Sequence, residues 1–294
     1  MEPGMKRRSG SEILVTAYLW LFMLYLFLPL IIMGAATFNT SRFPTITPWL
    51  GTTLKWFVAL YHDGRMWEGL INSIVVGLVV VAISVPLGIG AAMLLTGLQG
   101  KARTFIYGVM VSPLLTPGII IGISTLIFWT RLGVAPGLHL AVLGQCSFIS
   151  AYVMLMVLAR LQRLDGALEE AALDLGATHQ QVFRRILLPY LKPSIVAASV
   201  LAFFQSFENY NTTLFTRGTD ITLTIYIASK VRTGLTPAVN ALALILITLT
   251  VIGAAIYEVL RRREAARDAA AQRRAQQVQP MRELELGVSV PGAD

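Results

Sequence analysis

The stretch RLDGALEEAALDLGATHQQVFRRILLP, Arg163–Pro189, lies between two apolar runs, Leu138–Leu161 and Pro193–Phe215. With the N-terminus inside, it is the only long cytoplasmic connection before the C-terminal tail. Two short helices can be read in it. Asp165 caps the first, and Gly176 ends it in a left-handed turn. Leu168, Ala171, Ala172 and Leu175 then share one face. Thr178 starts the second helix, Gln181 completes a capping box, and Pro189 marks its end. An amphipathic pair of this kind needs something to cover its apolar stripe. The cover can be its own bundle, the membrane interface or a partner protein, and the residues of the loop leave all three open.

The runs on either side of the loop belong to a set of six, each near the 20 or so apolar residues that a membrane crossing needs. They are Ile13–Thr37, Leu70–Leu98, Thr104–Thr130, Leu138–Leu161, Pro193–Phe215 and Val239–Leu260. Backbone amides cannot stay unpaired in lipid, so the runs are expected to be helices. Composition agrees: 55% of the 294 residues are hydrophobic and only 14% are charged, against about 25% in soluble domains. The expected fold class is all-α, a polytopic membrane protein with six transmembrane helices. The expected organisation is a cytoplasmic N-terminus over 1–12, a membrane domain over 13–262 that includes the loop 163–190, and a cytoplasmic tail over 263–294, partly disordered.

Charge placement gives the orientation. With the N-terminus inside, the inside segments hold 17 Lys and Arg and the outside segments hold 7, which follows the positive-inside rule. Both termini and the Arg163–Pro189 loop are then cytoplasmic. The net charge of +8 is explained by this topology, so no nucleic-acid partner is expected. Cys146 stands alone inside an apolar run. His62, His139 and His179 are scattered, so no metal site is expected. The apolar run after Lys6-Arg7-Arg8 exceeds the 7–15 residues or so of a signal-peptide core, and reads as an uncleaved first span.

The spacing of Glu170-Ala171-Ala172, Gly176, Ile186 and Leu188-Pro189 resembles the EAA loop of binding-protein-dependent ATP-binding-cassette (ABC) importer permeases. The resemblance implies the type I permease fold, with the loop forming a coupling helix pair that sits in a cleft of an ATPase subunit. Glu170, Ala171, Ala172 and Gly176 would shape the part that enters the cleft. Ile186, Leu188 and Pro189 would anchor it to the fifth span. The implied partners are an ATP-binding-cassette ATPase dimer, a second permease subunit, a periplasmic or lipoprotein substrate-binding protein and the lipid bilayer of the bacterial inner membrane. ATP and Mg would be bound by the ATPase. The chain itself has no G-x-x-x-x-G-K-[ST] motif and is expected to be a permease subunit without catalytic residues or cofactors of its own.

Further residues, among them Tyr25, Leu28-Pro29, Phe38-Asn39, Trp56-Phe57, Asn72-Ser73, Ile225-Tyr226 and Val239–Ala243, are similar to the second permease subunit of spermidine/putrescine importers. A polyamine-type cargo is what this implies. Relatives of that family handle iron, aminophosphonates, opines or small acids, and those stand as alternatives. Two departures from the pattern bear on cargo. Leu114 follows Ser112-Pro113 where an acid is expected, and Asn209 follows Glu208 where a second acid is expected.

Glu208 is the single acid expected well inside a span. A buried intramembrane carboxylate costs a few kcal/mol and calls for a reason. Glu208, Asn209, Phe204 and Tyr210 are therefore the candidate translocation path, with a structural hydrogen bond or an ion pair to the partner permease as the competing role for Glu208. A stand-alone carrier usually places several ionisable groups at mid-membrane. An intramembrane enzyme needs a nucleophile or metal constellation. Neither pattern is present in the sequence.

Overall fold

The computed structural model describes residues 10–234 and 236–285. Lys6-Arg7-Arg8 and the end of the tail from residue 286 lie outside the described residues. Apart from an isolated bridge between Asn39 and Thr52, the regular structure described is helical. Among the described residues five helices are individually long and apolar enough to cross a membrane, and one bent pair passes the same test only when its two helices are taken together.

The chain divides into two compact units, residues up to 60 with those from 236, and residues 61–235. In the first unit, α1 (Gly10–Thr37) packs on α12 (Pro237–Glu285). The last expected span thus continues as helix into the tail. Most side chains of α1 face outward, including Trp20, Tyr25 and Leu26, which suits a helix whose solvent is lipid. After α1 the buried Asn39 organises the loop that follows. Its Nδ2 donates to the carbonyls of Thr45 and Pro48, its Oδ1 accepts from the amides of Ser41 and Leu50, and its own carbonyl accepts from Trp56 Nε1 on α2 (Lys55–Tyr61). One carboxamide satisfies four backbone groups that a loop would otherwise leave unpaired.

The second unit is built on α3 (Gly64–Gly97), α6 (Leu138–Leu161) and α9 (Leu188–Phe207), which pack on one another. Val80, Ala92, Leu95, Ile149, Val157, Leu191 and Ala198 form its core. Gly88 lets α3 and α6 approach closely. A Cβ there would lie 2.6 Å from Val153 Cβ and 2.8 Å from the Met154 amide nitrogen, a contact that small residues make possible between membrane helices.

Two expected spans change shape. The third is a pair, α4 (Gly100–Leu115) and α5 (Gly118–Arg131), bent by 102°. Pro117 has no amide to continue α4, and Thr116 before it is extended, as a residue preceding proline prefers. The fifth starts earlier and stops sooner than Pro193–Phe215. It ends at Phe207, and a separate short helix, α10 (Asn211–Thr216), follows the break at 208–210. Pro189 does not end a helix. It sits in the first turn of α9, directly after the π-helical turn. The second helix of the loop runs into α9 through a wide π-helical turn, Phe183–Leu187. The remaining elements are α7 (Ala167–Asp174), α8 (His179–Val182) and α11 (Leu223–Thr233).

Candidate functional site

The Gly176 turn and the Thr178 cap are as expected, whereas the N-cap of α7 is Gly166 and Asp165 bonds from one residue outside it. Asp165 Oδ1 accepts from the Ala167 amide, and Glu169 and Glu170 in the first turn of α7 favour its N-terminal dipole. Gly176 has φ 85°. Its amide donates to Leu173 O and the Ala177 amide donates to Ala172 O, which together make a Schellman motif. Left-handed backbone costs a residue with a side chain about 1 kcal/mol or more, so glycine is the natural occupant. Thr178 and Gln181 exchange both bonds of the capping box.

The apolar stripe points differently from the expected one. Ala172, Leu173 and Ala177 turn toward the core of the second unit, while Leu168 and Leu175 are 54% and 89% exposed and Ala171 is exposed too. The helix is turned by about one residue, roughly 100°, because the buried Val182 and Leu187 fix how the following turn docks. Ile186 packs on the core, as an anchor should, whereas Leu188 and Pro189 are exposed. Leu187 is an anchor that the motif did not mark. At the same end, Tyr190 lies under the Arg160 guanidinium at 4.2 Å, and Ser194 Oγ donates to Met156 O.

The four candidate path residues are not brought together. Glu208 caps the end of α9 with its amide donating to Phe204 O, is exposed, and its carboxylate makes no hydrogen bond or ion pair among the described residues. It does not sit deep inside a helix as expected. Phe204 is exposed and stacks edge-on with Phe203. Tyr210 accepts a hydrogen bond from Arg232 Nη2 at 3.2 Å. Asn209 lines a cavity of about 180 Å³ at the bend between α4 and α5, together with Leu114, Thr116, Gly118, Tyr152 and Asn211. Both positions where an acid was expected but absent, Leu114 and Asn209, thus face one cavity.

Asn209 is held by a buried polar chain. Gln145, 1% exposed, donates through Nε2 to Thr213 Oγ1 and accepts from Ser206 Oγ. Thr213 donates its amide and its hydroxyl to Asn209 Oδ1, each at 3.2 Å. Asn209 O accepts from Thr224 Oγ1. The sequence offered one signal for Gln145, a lone amide in an apolar span.

The segment that follows the break is tied to α3. Asn72 Nδ2 donates to Ile221 O, and the Leu223 amide donates to Ser73 Oγ. Asp63 caps α3 through Oδ1, and its Oδ2 accepts from Tyr226 Oη at 2.8 Å and Lys230 Nζ at 3.1 Å. Burial pushes the Asp63 carboxyl up, but the hydrogen bonds from Tyr226, Lys230 and Met66 outweigh it and hold the group below its usual value. The Tyr226 phenol is pushed well above its ordinary value by burial and by the carboxylate it faces. Among the described residues no three His, Cys, Asp or Glu side chains gather as metal ligands.

Residues 84–265 match the family described as binding-protein-dependent transport system inner membrane component. The chain is 30% identical to the spermidine/putrescine transport system permease protein PotC of Escherichia coli, over 78% of this chain and 86% of that one. It is 31% identical to the putrescine transport system permease protein PotI of the same organism, over 83% and 89%. The PotC of Haemophilus influenzae is 27% identical over 84% of this chain and 96% of its own length. Among solved structures, a bacterial ABC transporter for the import of alginate superposes with a TM-score of 0.63 over 82% of this chain and 90% of that one, at 16% identity. An inward-facing methionine ABC transporter does so with 0.51 over 68% and 93%, at 21% identity.

Proposed function

The chain belongs to the binding-protein-dependent transport system inner membrane components and is the permease subunit of an ABC importer, and we propose that the Arg163–Pro189 loop is the surface through which a separate ATPase drives it. ATP hydrolysis resides in that other subunit, and the chain is a multi-pass inner-membrane protein. The observation that carries the proposal is the pair α7–α8, joined by the Gly176 turn and the Thr178 capping box, with Leu168 and Leu175 turned outward. Apolar side chains that a bundle leaves uncovered on a rigid helix fit a cleft in another protein. Glu170, Ala171 and Gly176 lie on or beside that exposed face, and Ala172 and Ile186 hold it to the bundle. The loop and both termini would face the cytoplasm, as the positive-inside count supports.

The importer would contain an ATPase dimer, a second and different permease subunit, and a substrate-binding protein outside. The cargo would be a small amine, the class named for PotC and PotI. Glu208 would supply the carboxylate an ammonium seeks in a low-dielectric path, and Tyr210 an aromatic face. A second reading, a small acid or opine, is favoured by the neutral side chains of Leu114 and Asn209. The test is co-purification with the ATPase and ATP-dependent uptake into liposomes holding the complete complex. Full uptake by this chain alone without ATP would overturn the reading.

A further inference from the structure

We infer that the cavity at the bend of the third span is a subsite for an acceptor oxygen of the cargo, so that the amine carried here also bears a carbonyl or a carboxylate and is not a plain polyamine. The inference rests on the proposed amine reading and deepens it.

The cavity wall holds no ionised side chain. Its polar groups differ in how freely they can turn. The Asn211 side chain and the Tyr152 hydroxyl make no hydrogen bond among the described residues and can offer either donor or acceptor. Asn209 cannot. A backbone amide is a donor only, so the bond from the Thr213 amide requires Oδ1, not Nδ2, on that side of the carboxamide. The Thr213 hydroxyl is on the same oxygen. Gln145 and Ser206 keep Thr213 in place from within the bundle. The one end of this carboxamide left without a partner is Nδ2, which can only donate.

The bend adds donors of the same kind. Gly118, the first residue of α5, belongs to the wall. The first amides of a helix have no partner inside it, and discontinuous membrane helices use them to meet oxygen acceptors. Leu114 contributes neither charge nor hydrogen bond. A plain polyamine presents N–H donors and methylenes and nothing that accepts. The Asn211 carbonyl or the Tyr152 hydroxyl could take an ammonium, but Asn209 Nδ2 would face a donor and stay unpaired in a low-dielectric cavity. An amide carbonyl or a carboxylate satisfies the same groups.

The experiment uses the complete importer in liposomes, with the binding protein saturated in turn by putrescine, N-acetylputrescine or γ-aminobutyrate, and reads ATP-dependent uptake. Asn209→Asp keeps the oxygen that Thr213 bonds and replaces only the nitrogen, so the break at 208–210 is preserved. Thermal melting of the variant complex checks this. The same binding protein serves both forms, so its own selectivity cancels in the ratio. The wild type is expected to favour N-acetylputrescine or γ-aminobutyrate over putrescine, and Asn209→Asp to shift that ratio toward putrescine by about tenfold. Preference for the acetylated compound alone identifies a neutral carbonyl, and preference for the amino acid identifies a carboxylate. Equal uptake of all three by the wild type, or a ratio unchanged in Asn209→Asp, overturns the subsite and leaves the amine reading standing. Uptake of none of the three overturns the amine reading and the subsite with it.

Discussion

The connection from α6 to α9 and the segment that follows α9 are both short helices strung between long ones, yet they are built in opposite ways. In the first, polar groups are used locally. Thr178, Gln181 and the Gly176 turn satisfy amides a few residues away, and Leu168 and Leu175 are left bare. In the second, polar groups reach across the chain. Asn72, Ser73 and Asp63 bond residues some 150 positions later, and Tyr226 is buried. The loop proposed as the ATPase contact is held by its own caps and keeps its apolar groups outward. A segment that must hold its shape beside a cavity is bound to the helix it lies on.

Substitutions that reverse this assignment test it. The largest effect is expected from Leu175→Asp. It removes an exposed apolar group, so the chain should fold as before while affinity for the ATPase falls tenfold or more, on the order of 2 kcal/mol. Co-purification against the thermal melting curve reads this, and an unaltered affinity would remove Leu175 from the contact. Gly176→Asp should uncouple ATP hydrolysis from uptake and cost about 1 kcal/mol of stability from the left-handed backbone. Paired assays of hydrolysis and uptake on one preparation check it, and uptake that keeps pace with hydrolysis would argue against a coupling role.

On the other side, Gln145→Leu should destabilise the break at 208–210 by about 1–3 kcal/mol, because Ser206 and Thr213 lose their buried partner. Hydrogen exchange of the 209–216 amides is the readout, and unchanged protection would show that α10 does not depend on the chain of bonds. Asp63→Asn should loosen α11 by about 1 kcal/mol, since the site is partly exposed. The wild-type contact has a defined pH window. Folding lowers the Asp63 pKa, so its contribution is complete above the ordinary carboxylate value, about 4, and fades as pH falls through the lower folded value. The raised Tyr226 acts at the other limit. Its contribution is complete below the ordinary phenol value, about 10, and is lost as pH rises through the higher folded value. Protection of α11 amides should follow the acidic limit, which should vanish in Asp63→Asn.

Much of this architecture was legible in the residues, and what was not has a common cause. Leu138–Leu161 was bounded correctly because the apolar run begins and ends sharply at Gly137 and Gln162. The caps at Gly176 and Thr178 were legible because capping is local. The bend of the third span was hidden because residues on both sides of Pro117 are equally apolar, and a kink and a break look alike there. Glu208 was placed too deep because what stops α9 at Phe207 is the bonding of Asn209, Thr213 and Gln145, partners that no local pattern relates. The facing of α7 was misjudged for the same reason: Val182 and Leu187, docked against distant helices, set it.

The wide turn at Phe183–Leu187 carries a consequence for tolerated change. It holds one residue more than an α-helical turn, so the faces of α8 and α9 stand out of step by roughly 100°. Removing one residue there would leave both helices with acceptable sequences and swing Val182 and the exposed face of α7 to the wrong flank. Surface connections ordinarily absorb insertions and deletions more readily than the elements they join. Here the reverse holds: the length of this stretch should stay constant among related proteins, and an alignment gap within it would mark a protein whose α7 faces elsewhere.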